Sequence, residues 1–74
     1  MSEMEDWFVK AFGSRVKRYR IQNKFTQKHL ADVCGFEVEY INRIEEGLEN
    51  PSLKVINQLA LELGLKDLNQ LIGY

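Results

Sequence analysis

The side chains of this sequence that could do chemistry are mostly charged, and their signs are segregated along the chain. Residues 10–29 contain seven Lys and Arg and no acid, whereas residues 30–50 contain six Asp and Glu and only Arg43 as a cation. A cluster of cations can attract phosphate groups even at a net charge of −1, because the local field depends on where the charges lie. The basic block is therefore either a phosphate-binding surface or the solvated face of a helix.

The composition gives little support for metal binding, disulfide formation or catalysis. One Cys and one His cannot supply the four ligands of a structural zinc site, and Cys34 has no partner for an intramolecular disulfide. No nucleophile is accompanied by a base, and no glycine-rich phosphate loop occurs, so we expect no enzymatic activity, no metal and no cofactor. Cys34 is expected to be a small buried hydrophobe, and His29 an exposed helical residue.

Length and hydropathy are typical of a small soluble protein. A chain of 74 residues fits one domain, and no apolar run approaches the roughly 20 residues that a membrane-spanning helix needs. The N-terminus is acidic, whereas a signal peptide begins with a basic segment. These features predict a single cytoplasmic domain over residues 1–74, without room for a ligand-sensing or peptidase domain.

Apolar residues recur at helical spacing in five segments separated by glycine and proline, and no segment is predicted as a strand. The first helix is expected to start at a capping box at Ser2 and to reach about residue 23, with Gly13 allowing a break. Asn50 and Pro51 form the expected start of the fourth helix, with Leu53 on its buried face. The other helices are expected at residues 27–34, at residues 37–46 and after Asp67, which gives an all-α bundle.

The second and third helices, joined by a tight turn, have the geometry of a helix-turn-helix at about residues 26–46. Thr26 can cap the second helix, and Ala31 suits a close crossing of two helices. Gly35, four residues later, suits a sharp turn with positive φ. Ile41 and Ile44 face inward from the third helix, and this whole string is far more specific than an isolated pair of Ala and Gly.

The sequence resembles the phage repressor and Cro type of helix-turn-helix domain, also called XRE-like, over about residues 12–72. The resemblance implies a compact, repressor-like bundle of five helices that regulates transcription by binding double-stranded operator DNA. It also implies a homodimer on a pseudo-palindromic site, with the third helix in the major groove and no small-molecule ligand. The matching positions are Phe12-Gly13, Arg15-Val16-Lys17, Thr26-Gln27, Leu30-Ala31, Cys34-Gly35, Tyr40-Ile41-Asn42-Arg43-Ile44-Glu45, Gly47, Asn50-Pro51-Ser52-Leu53 and Leu63-Gly64.

The resemblance assigns DNA contacts to the start of the second helix and to the exposed face of the third. Thr26, Gln27 and Lys28 would contact phosphates, and the free N–H groups of that helix end favour the same anions. Gln27 would also brace the third helix, which is the recognition helix. In the third helix, Glu suits cytosine, Val the thymine methyl, Asn adenine and Arg guanine. The positions that would meet base edges are Glu37, Val38, Glu39, Asn42 and Arg43.

Two departures from the family pattern lower the expected affinity. Family members often carry small polar or basic residues where this chain has Glu37 and Glu39, and basic residues where it has Leu48 and Glu49. These acids predict modest non-specific affinity and a greater dependence on a matching site. The alternative function is a protein-interaction module that uses the acidic face of the third helix, as in an antitoxin or adaptor. Phage repressor, restriction-modification controller and antitoxin all stay open.

The remaining expectations concern structure and assembly. Arg20 and Glu45 match positions that pair inside such repressors, so we expect an ion pair between the first and third helices, and Tyr40 is expected to pack rather than to contact bases. Residues 3–12 form an N-terminal helical extension, and residues 65–74 are a candidate dimerisation region. The apolar residues assigned to that interface are Leu65, Leu68, Leu71, Ile72 and Tyr74.

Overall fold

The computed structural model describes residues 3–73, with side chains described from residue 6 onward. Over this span all regular secondary structure is helical and no β-strand occurs, so the all-α, five-helix prediction is confirmed. Tyr74 and the capping box at Ser2 lie outside the described residues. The elements are α1 (Glu3–Gln22), α2 (Gln27–Cys34), α3 (Val38–Glu45), α4 (Leu53–Glu62) and α5 (Asn69–Ile72).

A single apolar core holds these helices together. α1 packs against α3 and α5, and α2 packs against α3 and α4. Fully burying one large aliphatic or aromatic side chain stabilises the fold by about 1.5–3 kcal/mol. The core consists of Phe12, Val16, Leu30, Ala31, Ile41, Ile44, Ile56, Leu59, Ala60, Leu63 and Leu71.

α1 is continuous through Gly13, so the break that this glycine allowed does not occur. The glycine instead lets α1 approach α3 closely. A Cβ atom at residue 13 would collide with the carbonyl oxygen of Ile44 and would lie 3.1 Å from that of Glu45. Gly13 therefore serves the contact between two helices rather than a change in backbone direction.

The turn between α2 and α3 follows the predicted chemistry. Thr26 caps α2, because its Oγ1 accepts a hydrogen bond of 3.0 Å from the backbone N–H of His29. Gly35 ends α2 at φ +75°, and the N–H of Phe36 donates to the carbonyl of Ala31 at 2.8 Å. This is a Schellman-type ending, which needs a residue that tolerates positive φ.

The start of α4 differs from the prediction. Ser52, rather than Asn50, is the N-cap, and its Oγ accepts from the N–H of Val55 at 3.2 Å. Pro51 precedes the cap and is buried, which places Pro51 and Ile56 at the two positions of a hydrophobic staple. Leu53 is 69% exposed, contrary to the prediction, because helical side chains lean toward the N-terminus and this one projects beyond the first turn.

The C-terminal segment contributes to the core of the single chain. The carboxylate of Asp67 accepts from the N–H of Asn69 at 2.9 Å and so supports the start of α5. Leu71 is completely buried, and its assignment to an exposed dimer interface is wrong, because it fills the core beneath α1. Leu65, Leu68 and Ile72 are half-buried and keep part of their surface exposed.

Candidate nucleic-acid interface

α3 has one buried face and one exposed face. Ile41 and Ile44 are completely buried, whereas the side chains of the opposite face reach solvent. The exposed residues of α3 are Val38, Glu39, Asn42 and Arg43, and Glu37 precedes them as the exposed N-cap. An α-helix with side chains is about 10–12 Å across, which matches the roughly 12 Å width of the DNA major groove. The helix therefore presents hydrogen-bonding groups and one aliphatic side chain on a surface that is narrow enough to enter the major groove.

A nearly buried ion pair fixes α3 relative to the other helices. The guanidinium of Arg20 donates to Glu45 from Nε at 2.6 Å and from Nη2 at 3.0 Å. Nη1 of the same group donates to the carbonyl of Phe25 at 2.9 Å. The side chains are only 12% and 2% exposed, so the expected pair is present and shielded from water. It ties α1, the α1–α2 connection and α3 into one unit.

Gln27 extends this network to the start of α2. Its Nε2 donates to Glu45 Oε1 at 3.0 Å, and the side chain is half-buried. The resemblance implied that Gln27 would contact a phosphate and brace the third helix, but nothing in the sequence identified Glu45, 18 positions away, as its partner. A primary amide carries two N–H groups, so Gln27 keeps one donor for an external acceptor.

The other two predicted phosphate contacts, Thr26 and Lys28, are exposed at the start of α2. Lys28 Nζ lies 3.3 Å from the Asp32 carboxylate, and these side chains are 77% and 62% exposed. A pair this exposed contributes less than about 1 kcal/mol, so Lys28 can exchange Asp32 for another anion.

Arg43 also has an acidic partner, which the sequence did not predict. Its Nε donates to Glu49 Oε1 at 2.7 Å. The chain reverses at Gly47, where φ is +75°, and the N–H of Leu48 donates to the carbonyl of Arg43 at 2.9 Å. This reversal returns Glu49 to the side of α3, although a spacing of six residues does not place two side chains together on a helix.

Tyr40 packs against the aromatic ring that follows α2. Its ring and that of Phe36 meet edge to face, with centroids 5.3 Å apart. Burial raises the pKa of Tyr40 above its usual value, and the nearby Glu49 carboxylate raises it further. Tyr40 is therefore a half-buried packing residue at the edge of the exposed face.

Cys34 and His29 both belong to α2, five positions apart. Cys34 is half-buried rather than fully buried, and burial, followed by the charge of Glu62, raises the pKa of its thiol to about 11. His29 is exposed, and its ring meets the edge of Phe25 at 4.5 Å between centroids.

The described residues offer neither a metal centre nor a membrane-spanning helix. Among the side chains that the structure describes, from residue 6 to residue 73, no three of His, Cys, Asp or Glu are arranged so that they could hold a metal ion. None of the helices over the same span is both long and apolar enough to cross a membrane.

The sequence matches a known family and a curated protein. The family described as helix-turn-helix matches residues 16–71. The chain is also similar to the uncharacterized HTH-type transcriptional regulator y4dJ of Sinorhizobium fredii (strain NBRC 101917 / NGR234). The two sequences are 32% identical over 56 residues, which cover 76% of this chain and 73% of the relative.

Two solved structures have a similar fold. The restriction-modification controller protein C.AhdI from Aeromonas hydrophila superimposes with a TM-score of 0.80 at 30% identity, over 85% of this chain and 94% of the controller. The hypothetical transcription factor NHTF from Neisseria superimposes with a TM-score of 0.81 at 25% identity, over 90% of this chain and 77% of that protein. The likeness therefore extends well beyond the pair α2 and α3.

Proposed function

Because this chain belongs to the XRE-like helix-turn-helix family of transcriptional regulators, we propose that it is a sequence-specific DNA-binding regulator that inserts α3 into the major groove. One observation carries this proposal: α3 exposes a hydrogen-bonding face while Ile41, Ile44 and the Arg20–Glu45 pair fix its opposite side. A recognition helix must be held rigidly, because base discrimination depends on the placement of individual donors and acceptors.

The chemistry of the exposed face suits base recognition. Asn42 can pair with the N6 and N7 edge of adenine, and Arg43 with the O6 and N7 edge of guanine. Val38, which is 42% exposed, can pack on a thymine methyl group. Glu37 and Glu39 can accept from cytosine N4, which is the role that gives a carboxylate a favourable partner in the groove.

Phosphate contacts come from the start of α2. Thr26, Lys28 and the second amide N–H of Gln27 lie at one end of this helix, where the dipole also favours an anion. A phosphate that accepts from Gln27 would be connected to Glu45 through this one side chain. Contact with the DNA backbone and the placement of α3 would therefore be linked.

We further propose a homodimer on a pseudo-palindromic site. The candidate surface is the exposed part of Leu65 and Leu68, which precede α5, and of Ile72, which ends it. Two-fold symmetry would place one copy of α3 on each half-site, about one helical turn of DNA apart. Among small regulators, the similarity to a restriction-modification controller favours a controller as the biological setting.

Selection of duplexes from a random pool at low salt, with oligomeric state measured on the same sample, tests the proposal. We expect a selected site with two related half-sites. A folded sample that enriches no duplex would contradict the proposal.

The second candidate is a protein-interaction module, favoured by the exposed acids Glu37 and Glu39 on the same face. In that case the E37Q/E39Q variant would lose a basic protein partner, whereas DNA selection would fail for wild type and variant alike. For a DNA-binding regulator, the same variant would still bind DNA and would gain non-specific affinity, because two anions near the phosphates are removed. It would also lose preference at the base pairs that the two carboxylates contact.

A further inference from the structure

Arg43 is the cation of α3, and an acid outside that helix already engages it. Arg43 Nε donates to Glu49 Oε1 at 2.7 Å, and the two side chains are 53% and 32% exposed. Glu49 is the more shielded partner, since it lies on the connection between α3 and α4 that Gly47 turns back toward the helix. The Arg43 side chain, which would contact a base, is therefore already hydrogen-bonded to a residue of the protein itself.

We propose that Glu49 is a positioning residue that determines how Arg43 reads a base pair, an inference that rests on the proposed function. A guanidinium group offers two planar edges for a bidentate contact, one formed by Nε and Nη and the other by its two Nη groups. Because Glu49 occupies Nε, the pair leaves the edge formed by Nη1 and Nη2 for an external acceptor pair. Guanine O6 and N7 are such a pair.

The arrangement also reduces the freedom that Arg43 would lose on binding. An unrestrained Arg side chain has several rotamers, and ordering it opposes association by about 0.5–1.5 kcal/mol. The hydrogen bond to Glu49 orders part of the side chain before DNA arrives. The smaller entropy loss favours a base that pairs with the Nη1 and Nη2 edge of Arg43 in this rotamer. It does not favour a base that would require another rotamer.

The charge of Glu49 also favours a matching base pair over arbitrary DNA. Contacts to phosphate depend mainly on net charge, whereas contacts to bases depend on the placement of donors and acceptors. A carboxylate 2.7 Å from the guanidinium offsets its charge without removing the Nη donors. The pair therefore weakens binding to arbitrary DNA more than it weakens binding to a matching base pair.

The test compares E49A, E49Q and a charge-matched control on three DNA targets. The targets are the selected site, its single-base-pair variants and a random duplex, and the control is E46Q, which removes one exposed anion at the end of α3. We expect E49A to bind random duplex about two- to fivefold more tightly and to lose about two- to fivefold of discrimination at one base pair. E49Q should retain more discrimination than E49A, because its amide oxygen still accepts from Nε. E46Q should increase non-specific binding with discrimination unchanged.

The double variant R43A/E49A separates positioning from a general effect of charge. If Glu49 acts through Arg43, adding E49A to R43A leaves discrimination unchanged. Three outcomes would overturn the inference. In the first, E49A reduces discrimination even in the R43A background. In the second, E46Q loses as much discrimination as E49A, and in the third, E49A and E49Q both keep full discrimination. Thermal melting of every variant identifies any that fail to fold. If E49A does not fold, the discrimination of E49Q decides the outcome. If the wild-type chain selects no site, the proposed function fails, which is a different result, and this inference falls with it.

Discussion

Arg20 and Glu45 form a nearly buried ion pair in which one carboxylate accepts two hydrogen bonds from one guanidinium group, at 2.6 and 3.0 Å. The same carboxylate accepts from Gln27, and the same guanidinium donates to the carbonyl of Phe25. The pair therefore sets the position of the exposed helix α3 against α1 and α2. A change at either residue would affect DNA binding by altering the fold before it altered any contact with DNA.

E45A should lower the free energy of unfolding by about 3 kcal/mol or more, because the Arg20 cation would remain shielded without its partner. A chain of this length has a total stability of roughly 4–11 kcal/mol, so the loss would be large. Urea denaturation followed by circular dichroism measures it. D32A, which removes the exposed partner of Lys28, is the matched control and should change stability by less than about 1 kcal/mol. Equal effects of the two changes would contradict the structural role of the pair.

G13A should destabilise the protein, although Ala favours helix by about 1 kcal/mol relative to Gly. The added Cβ would collide with the Ile44 carbonyl oxygen, which is backbone and cannot rotate away. Forcing α1 and α3 apart should reduce the free energy of unfolding by about 1–3 kcal/mol. The exposed neighbour provides the control, because S14A adds no contact and should be neutral or slightly stabilising. A G13A protein as stable as S14A would show that the helices can separate at little cost.

Local sequence signals predicted the parts of the fold that depend on neighbouring residues. The Thr26 cap, the Gly35 turn and the inward spacing of Ile41 and Ile44 all follow from short-range rules and appear in the structure. The predicted start of α4 at Asn50 is wrong, because Ser52, a residue type that caps helices equally well, is the N-cap in the structure.

Contacts between distant residues in the candidate site could not be predicted in the same way. The bond from Gln27 to Glu45 and the pair of Arg43 with Glu49 depend on how the helices and the Gly47 turn are placed in space. The Arg20–Glu45 pair was expected only because the sequence resembles a known family. Hydropathy alone also could not distinguish Leu71, which fills the core, from its half-buried neighbours around α5.

The stability of the protein should fall between about pH 9 and pH 11 through ionisation of Cys34. The pKa of the thiol is about 11 in the folded protein against 9.0 for an ordinary Cys, so the unfolded chain loses the proton first as the pH rises. Unfolding is then favoured until the folded thiol also ionises. Denaturation of wild type and C34A at each pH isolates this effect, because the raised pKa of Tyr40 contributes equally to both. Parallel stability curves from pH 8 to 11 would contradict the shift.

K28A and R43A should weaken DNA binding in different ways. Lys28 is exposed at the start of α2 and would meet phosphate, so K28A should weaken all sequences about equally and reduce the salt slope by about 1. Arg43 would meet a base edge, so R43A should cost about 1–3 kcal/mol on the selected site and relax specificity at one position. Titrations at several salt concentrations, with the selected site and with random duplex, measure both quantities. If K28A and R43A gave the same pattern, α3 would contribute charge to the complex rather than base recognition.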